Sequence, residues 1–231
     1  MSYEFGRSIV AVLSHPDDEL GMVGTLAKHA ELGDSVFMVY LSYGELTTKF
    51  GNLPIPEIKT RRKEQAEEIS SILGVSDPIF LDLGDTNILP TKENAIKLAE
   101  ILIDTKPKAI VTWGINAHHP DHRNTGKLVL DAMTFCRLPK LMPSKRSFRE
   151  PIRLFHYVDQ DSIDPVIYVD VTQTIQKAIA CGEYYEHRFG WAEVGKRMEI
   201  RRRSRGMESN CQYAEKFNEK ILTHVAKDLL I

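Results

Sequence analysis

Ser8-Ile9-Val10-Ala11-Val12-Leu13-Ser14 runs without a break into His15-Pro16-Asp17-Asp18-Glu19. The first seven residues are a continuous apolar run of strand length, the pattern of a strand buried on both faces. The next five concentrate imidazole and carboxylate where that strand ends. A dinucleotide-binding fold would carry GxGxxG at this turn, and the pattern is absent. Gly21–Leu32 then reads as a helix with Met22, Leu26 and His29 on one side, closed by Gly33 at C′.

The alternation repeats downstream. Ser35–Leu41 is a second buried strand, and Thr60–Leu73 is a charged amphipathic helix closed by Gly74. Ile79–Leu83 is a third strand, Thr91 an N-cap for a helix through Asp104, Ala109–Trp113 a fourth strand, and Asp121–Cys136 a further helix. Ser42–Lys59, with Pro54 and Pro56, reads as a long loop, and its first part could cover a substrate. Arg137–Pro151 reads as a basic surface loop. Strands are expected at Arg153–Val158 and Val166–Val171, and helices at Thr174–His187 and Ala192–Arg205. The expected class is α/β: a single Rossmann-like domain over residues 1–231, with a mostly parallel sheet and helices on both faces.

The fourth strand leads into Ala117-His118-His119-Pro120-Asp121-His122, so a His-Pro-Asp motif follows two strands at corresponding points. In open α/β sheets, ligands bind beyond the carboxyl ends of the strands, at the switch point. A strand order of 3-2-1-4 puts the loops after strands 1 and 4 on the two walls of that crevice. Two imidazoles and one carboxylate, with a fourth position for water, are a recurring catalytic zinc set. The same donors also make the facial triad of non-haem iron enzymes, a chemistry usually built on other scaffolds. Pro16 and Pro120 bias His15 and His119 toward extended geometry. A carboxylate outside the metal's shell can take a proton, and an imidazolium can stabilise an oxyanion. Asp17, Asp18 or Asp121 alone would read as a helix N-cap. Their joint occurrence with the histidines is harder to explain that way.

HPDDE after the first strand, with AHHPDH after the fourth, resembles the LmbE-like/PIG-L family of zinc N-deacetylases. The resemblance implies a zinc-dependent amide hydrolase that removes an N-acyl group, N-acetyl foremost, from an amino sugar or its conjugate. By position, it implies His15, Asp18 and His122 as zinc ligands and Asp17 as the general base. It implies His119 as the residue that stabilises the oxyanion and protonates the leaving amine, with Asp121 orienting it. Arg62, in Thr60-Arg61-Arg62-Lys63-Glu64-Gln65-Ala66, resembles the helix arginine that meets substrate hydroxyls, and with Arg61 beside it reads equally as part of a solvated helix face. A homo-oligomer, trimer or hexamer, is also implied. Arg205-Gly206 with Tyr213-Ala214-Glu215-Lys216-Phe217 resembles the family's RG…YAExF segment, and by itself reads as a helix end plus packing aromatics. The departure lies in Lys177–His187, where many members carry a His-x-Ser-Gln element and this chain does not; Tyr184 and His187 are the candidates to replace it. Two other readings fit the same residues: a metal- or sugar-binding regulator with a vestigial site, and a hydrolase of a different amide. Intact Asp17 and His119 favour an enzyme, because binding alone needs neither.

The remaining features narrow the partners. A formal net charge of -2 gives no reason to expect nucleic acid. The basic run Arg201–Arg205 reads as a solvated helix end. Cys136, Cys181 and Cys211 form neither a CxxC motif nor a paired framework, which suits a reducing compartment. No apolar stretch is long enough to span a bilayer or to serve as a signal-peptide core. The expected setting is cytoplasmic, with a small amino-sugar conjugate as partner. Trp113 falls near the predicted crevice, where an aromatic face suits a sugar ring, although core packing is the plainer reading.

Overall fold

The computed structural model describes residues 6–143, 145–157 and 162–222. Within these residues seven strands form one sheet: β1 (Ser8–Leu13), β2 (Ser35–Tyr40), β3 (Ile79–Phe80), β4 (Ala109–Trp113), β5 (Arg153–Tyr157), β6 (Val166–Asp170) and β7 (Ala214–Lys220). Their spatial order is β3-β2-β1-β4-β5-β7-β6. Every neighbouring pair is parallel except those of β7, which runs antiparallel to both β5 and β6. Among the described residues, six α-helices connect them: α1 (Val23–Glu31), α2 (Ile55–Leu73), α3 (Lys92–Thr105), α4 (Pro120–Phe135), α5 (Ile175–Phe189) and α6 (Val194–Glu208).

The core is two-sided, as the unbroken apolar run of β1 requires. Ala11 and Leu13 face the layer that holds Leu26, Ala66, Ile69, Ala178 and Met198, on α1, α2, α5 and α6. Val10 and Val12 face Leu98, Ala99, Leu128 and Val129, on α3 and α4. Helices on both faces leave the carboxyl ends of β1 and β4 as the open rim. Because these strands are hydrogen-bonded neighbours, the His15 and His119 loops emerge side by side.

The sequence expectations hold for the α/β class and for the 3-2-1-4 order, and they need three corrections. Helix α2 begins at Ile55, inside the stretch expected to be loop. Pro56 lies in the first turn, where a missing N–H is harmless, so it starts the helix rather than preventing it. Strand β3 is two residues long; Asp82 at φ 52° breaks its regularity, although Leu81 and Leu83 still donate to the carbonyls of Tyr40 (2.9 Å) and Leu41 (2.8 Å). The third correction is β7, which periodicity missed. Ala214–Lys220 carries two lysines and two glutamates, yet Glu215 is fully buried because Arg202 neutralises it. The expected fifth strand is observed as Arg153–Tyr157, and Val158 lies outside the described residues. Among the described residues, no helix is long and apolar enough to cross a membrane.

Candidate active site

His15, Asp17 and Asp18 leave β1 in a tight turn that precedes α1. Asp17 adopts φ 92°, the left-handed region, and its side chain caps nothing. The capping explanation therefore fails for it. Asp18 is buried, and its Oδ2 accepts three N–H bonds, from the backbone of Ser14 (2.8 Å) and His15 (3.1 Å) and from the Trp113 indole (2.8 Å). Its other oxygen, Oδ1, lies 3.2 Å from Nε2 of His122. Burial pushes the Asp18 carboxyl up, but the bond and charge of His122, the charge of His15 and the indole bond outweigh it, leaving a value of about 2.

On the opposite wall, α4 starts at Pro120 and is capped by a histidine. His119 Nδ1 accepts the N–H of Asp121 at 3.2 Å. That fixes the tautomer, because a neutral His119 then carries its proton on Nε2 and presents it outward as a donor. Burial and the neighbouring His122 and His15 lower the pKa of His119, which favours this neutral donor over an imidazolium. One turn into α4, His122 points back at Asp18.

Ligand atoms of His15, Asp18 and His122 all lie within 4.8 Å of one another. This His-Asp-His group can hold a metal ion. The electrostatics around it call for a cation. Asp18, Glu19 and Asp121 are buried, with Asp17 and Asp85 beside them, while Arg62 is the buried guanidinium among them. Burial tends to lower the pKa of His15, yet its bonds to Asp121 and Asp85 and the charge of Asp18 raise it to about 10. A site that draws a proton so strongly onto an imidazole is short of positive charge, and a divalent ion would supply it.

Asp121 makes a contact different from the one the resemblance implied. Its peptide N–H, not its carboxylate, meets His119. Its Oδ2 instead accepts from the Thr86 backbone N–H (2.8 Å) and lies 3.0 Å from His15 Nε2. A carboxylate behind a ligand histidine fixes that ring's orientation and leaves its other nitrogen for a metal. Arg62 also differs. It is 2% exposed, and its donors go to the backbone carbonyls of Tyr43 and Pro16, to Gln65 and to Asp17 Oδ2. So placed, Arg62 grips the turn that carries Asp17 and has little left for a hydroxyl group.

Three contributors escaped the sequence reading. Asp85, in the loop after β3, lies 3.3 Å from His15 Nε2. A carboxylate just past a strand's carboxyl end was the available signal. Glu19 is fully buried and accepts from the Asp17 N–H (2.8 Å), Tyr40 (3.1 Å) and Tyr185 (2.8 Å). Burial first, then the charge of Asp17, pushes Glu19 up to about 7. Tyr185 thus reaches this network from α5, whereas His187 is exposed and Tyr184 packs against Arg188.

The family model for PIG-L, GlcNAc-PI de-N-acetylase, matches residues 10–133, more than half of the sequence, and this chain belongs to that family. It is 27% identical over 192 residues to the diacetylchitobiose deacetylase of Thermococcus kodakarensis, covering 79% of this chain and 70% of that protein. It is 26% identical over 194 residues to the 4-oxalmesaconate hydratase of Pseudomonas putida, covering 78% and 75%. Among solved structures, a conserved protein of Thermus thermophilus superposes with a TM-score of 0.80 at 27% identity, covering 94% of this chain and 96% of that one.

Proposed function

We propose that this chain is a zinc-dependent hydrolase that removes an N-acyl group, in the first place N-acetyl, from an amino sugar or its conjugate. The observation that carries the reading is the junction of the two His-Pro-Asp loops. There a His15-Asp18-His122 donor set stands beside a free carboxylate oxygen of Asp17 and an outward N–H of His119. Bound by those three residues, zinc supplies a Lewis acid for the amide carbonyl and for water.

The chain's own residues then do the proton work. Arg62 occupies Asp17 Oδ2 and leaves Oδ1 to take a proton from the attacking water. The new carbon–oxygen bond places charge on the former carbonyl oxygen, toward which His119 Nε2–H can donate. The carbon–nitrogen bond then breaks, the amine takes a proton, and a carboxylate leaves. Asp121 and Asp85 keep the His15 ring in place behind the reaction. The substrate class is supported by the deacetylase relative and by an acidic wall, Asp17, Asp85 and Asp121, which suits a neutral polyol that leaves as an ammonium.

Acetate release from N-acetylglucosamine, chitobiose-type and inositol- or lipid-linked conjugates tests this reading. The zinc-loaded protein should release acetate, and Asp17→Asn should keep its zinc but lose turnover by several orders of magnitude. His122→Ala should lose stoichiometric zinc. A zinc-loaded wild type inert toward every conjugate would refute the deacetylase. A second reading, addition of water across a carbon–carbon double bond, rests on the hydratase relative, which matches as much of the chain as the deacetylase does. Oxalmesaconate belongs in the same panel, and its consumption without acetate release elsewhere would select that reading. We also propose a homo-oligomer working in the cytoplasm; sedimentation of the purified chain checks the first part.

A further inference from the structure

Trp113 is the last residue of β4, and both features of its indole are occupied by proposed metal ligands. Its Nε1–H donates to Asp18 Oδ2 at 2.8 Å. Its ring lies flat against His122, with centroids 3.8 Å apart and planes 6° from parallel. Asp18 Oδ1 and His122 Nε2 then meet at 3.2 Å. One side chain thus joins the Ser14 and His15 N–H groups in leaving Oδ1 as the free oxygen of the aspartate, and among the described residues it alone stacks on the histidine ring. The arrangement is backed from behind, since Tyr157 of β5 meets Trp113 edge-on at 5.3 Å and 70°. Gly21 permits this, because a Cβ there would fall 2.2 Å from the Tyr157 ring.

From this geometry we infer that Trp113 is the positioning residue of the metal centre, holding Asp18 and His122 in binding geometry before any metal arrives. The inference rests on the zinc-site reading above. It competes with a role as a stacking platform for a sugar ring. The face laid against His122 is already covered, and the indole N–H is spent on Asp18, so neither is free to meet a substrate. Groups that orient metal ligands from behind usually contribute about 10- to 100-fold in affinity. Without the indole bond Asp18 Oδ2 keeps only the Ser14 and His15 N–H groups, and an unstacked His122 could rotate away.

The test is zinc affinity, measured by competition with a chromogenic chelator. Trp113→Phe keeps an aromatic ring against His122 but removes the N–H and part of the indole with it, and should weaken zinc binding by about 10-fold with an unchanged far-UV circular dichroism spectrum. Trp113→Leu removes stack and bond together and should weaken it by about 100-fold. A second measurement needs no change at Trp113. In Trp191→Phe, which leaves Trp113 as the chain's one tryptophan, emission should change on zinc addition and stop at one equivalent. Unchanged zinc affinity in Trp113→Phe, or a flat emission titration in a protein that binds zinc, would overturn the inference. So would intact zinc binding with a loss confined to KM, the signature of a sugar platform. A wild type that binds no zinc would overturn both this inference and the reading beneath it.

Discussion

Asp17 is held in a conformation it would not choose. At φ 92° a residue with a Cβ gives up about 1 kcal/mol or more. Two neighbours make up the difference, Glu19 by accepting the Asp17 N–H and Arg62 by bonding to the Pro16 carbonyl and to the Asp17 carboxylate. Asparagine tolerates this region nearly as well as aspartate. Asp17→Asn keeps an oxygen for Arg62 but removes the charge opposite it, and should therefore lose no more than about 1–2 kcal/mol in urea while losing activity. A large loss of stability in that variant would mean that the charge, and not the proton-accepting oxygen, is what the site requires. Glu19→Ala should behave in the opposite way. It strands the hydroxyls of Tyr40 and Tyr185 and the Asp17 N–H in the interior, and should cost about 2–4 kcal/mol in the same measurement. An unchanged urea midpoint would show that these donors find other partners.

Helix α4 brings His119, Asp121 and His122 to the rim, and its approach to the sheet depends on Gly126. A Cβ at that position would sit 2.6 Å from the carbonyl oxygen of Trp113. Gly126 is one turn beyond His122 on the same helix face, so Gly126→Ala pushes outward the surface that seats the histidine. It should cost about 1–3 kcal/mol and release zinc at lower chelator concentration. Wild-type values for both would show that the helix can tilt without disturbing its ligands. On the other side, Glu215 of β7 accepts the N–H groups of Gly24 (3.0 Å) and Thr25 (2.8 Å) at the start of α1 and pairs with Arg202 of α6. Its replacement by alanine leaves Arg202 buried without its partner, and a loss of about 3–5 kcal/mol is expected. The reason this strand is hard to read in the sequence lies in that pair. A run of Glu and Lys looks solvated until a distant arginine neutralises the buried member. By contrast, β1, β2 and β4 announce themselves, because strands covered on both faces must be apolar throughout.

The two His-Pro-Asp loops were legible because topology alone brings neighbouring carboxyl ends together. The roles of Arg62, Asp121 and Asp85 were not, since each depends on which of several nearby polar groups a side chain faces across loops without periodicity. At the far end of the sheet a separate network is expected to contribute to the acid limb of stability. Asp34, buried, accepts from Arg7 (2.9 Å) and lies 2.7 Å from His29 Nδ1. Burial raises the Asp34 pKa, but the bonds to Arg7 and His29 outweigh it and hold the carboxyl below its usual range. Its contribution to stability is therefore present above about pH 4, the unfolded value, and disappears as the pH falls through the lower folded value. Burial holds His29 below 6.5, so the unfolded chain takes up its proton first, and stability already declines as the pH drops through about 6.5. Asp34→Asn should flatten the acid limb of a plot of Tm against pH; an unaltered limb would place acid sensitivity elsewhere. The position of β7 has a consequence for how the site is supported. Among the described residues, the last strand in chain order is an interior one, lying between β5 and β6 and reaching back through Glu215 to α1. A chain lacking residues 214–220 has its two metal-binding loops but not their underlying support. A polypeptide that lacks that strand is therefore expected to hold a metal ion more weakly than one that has it.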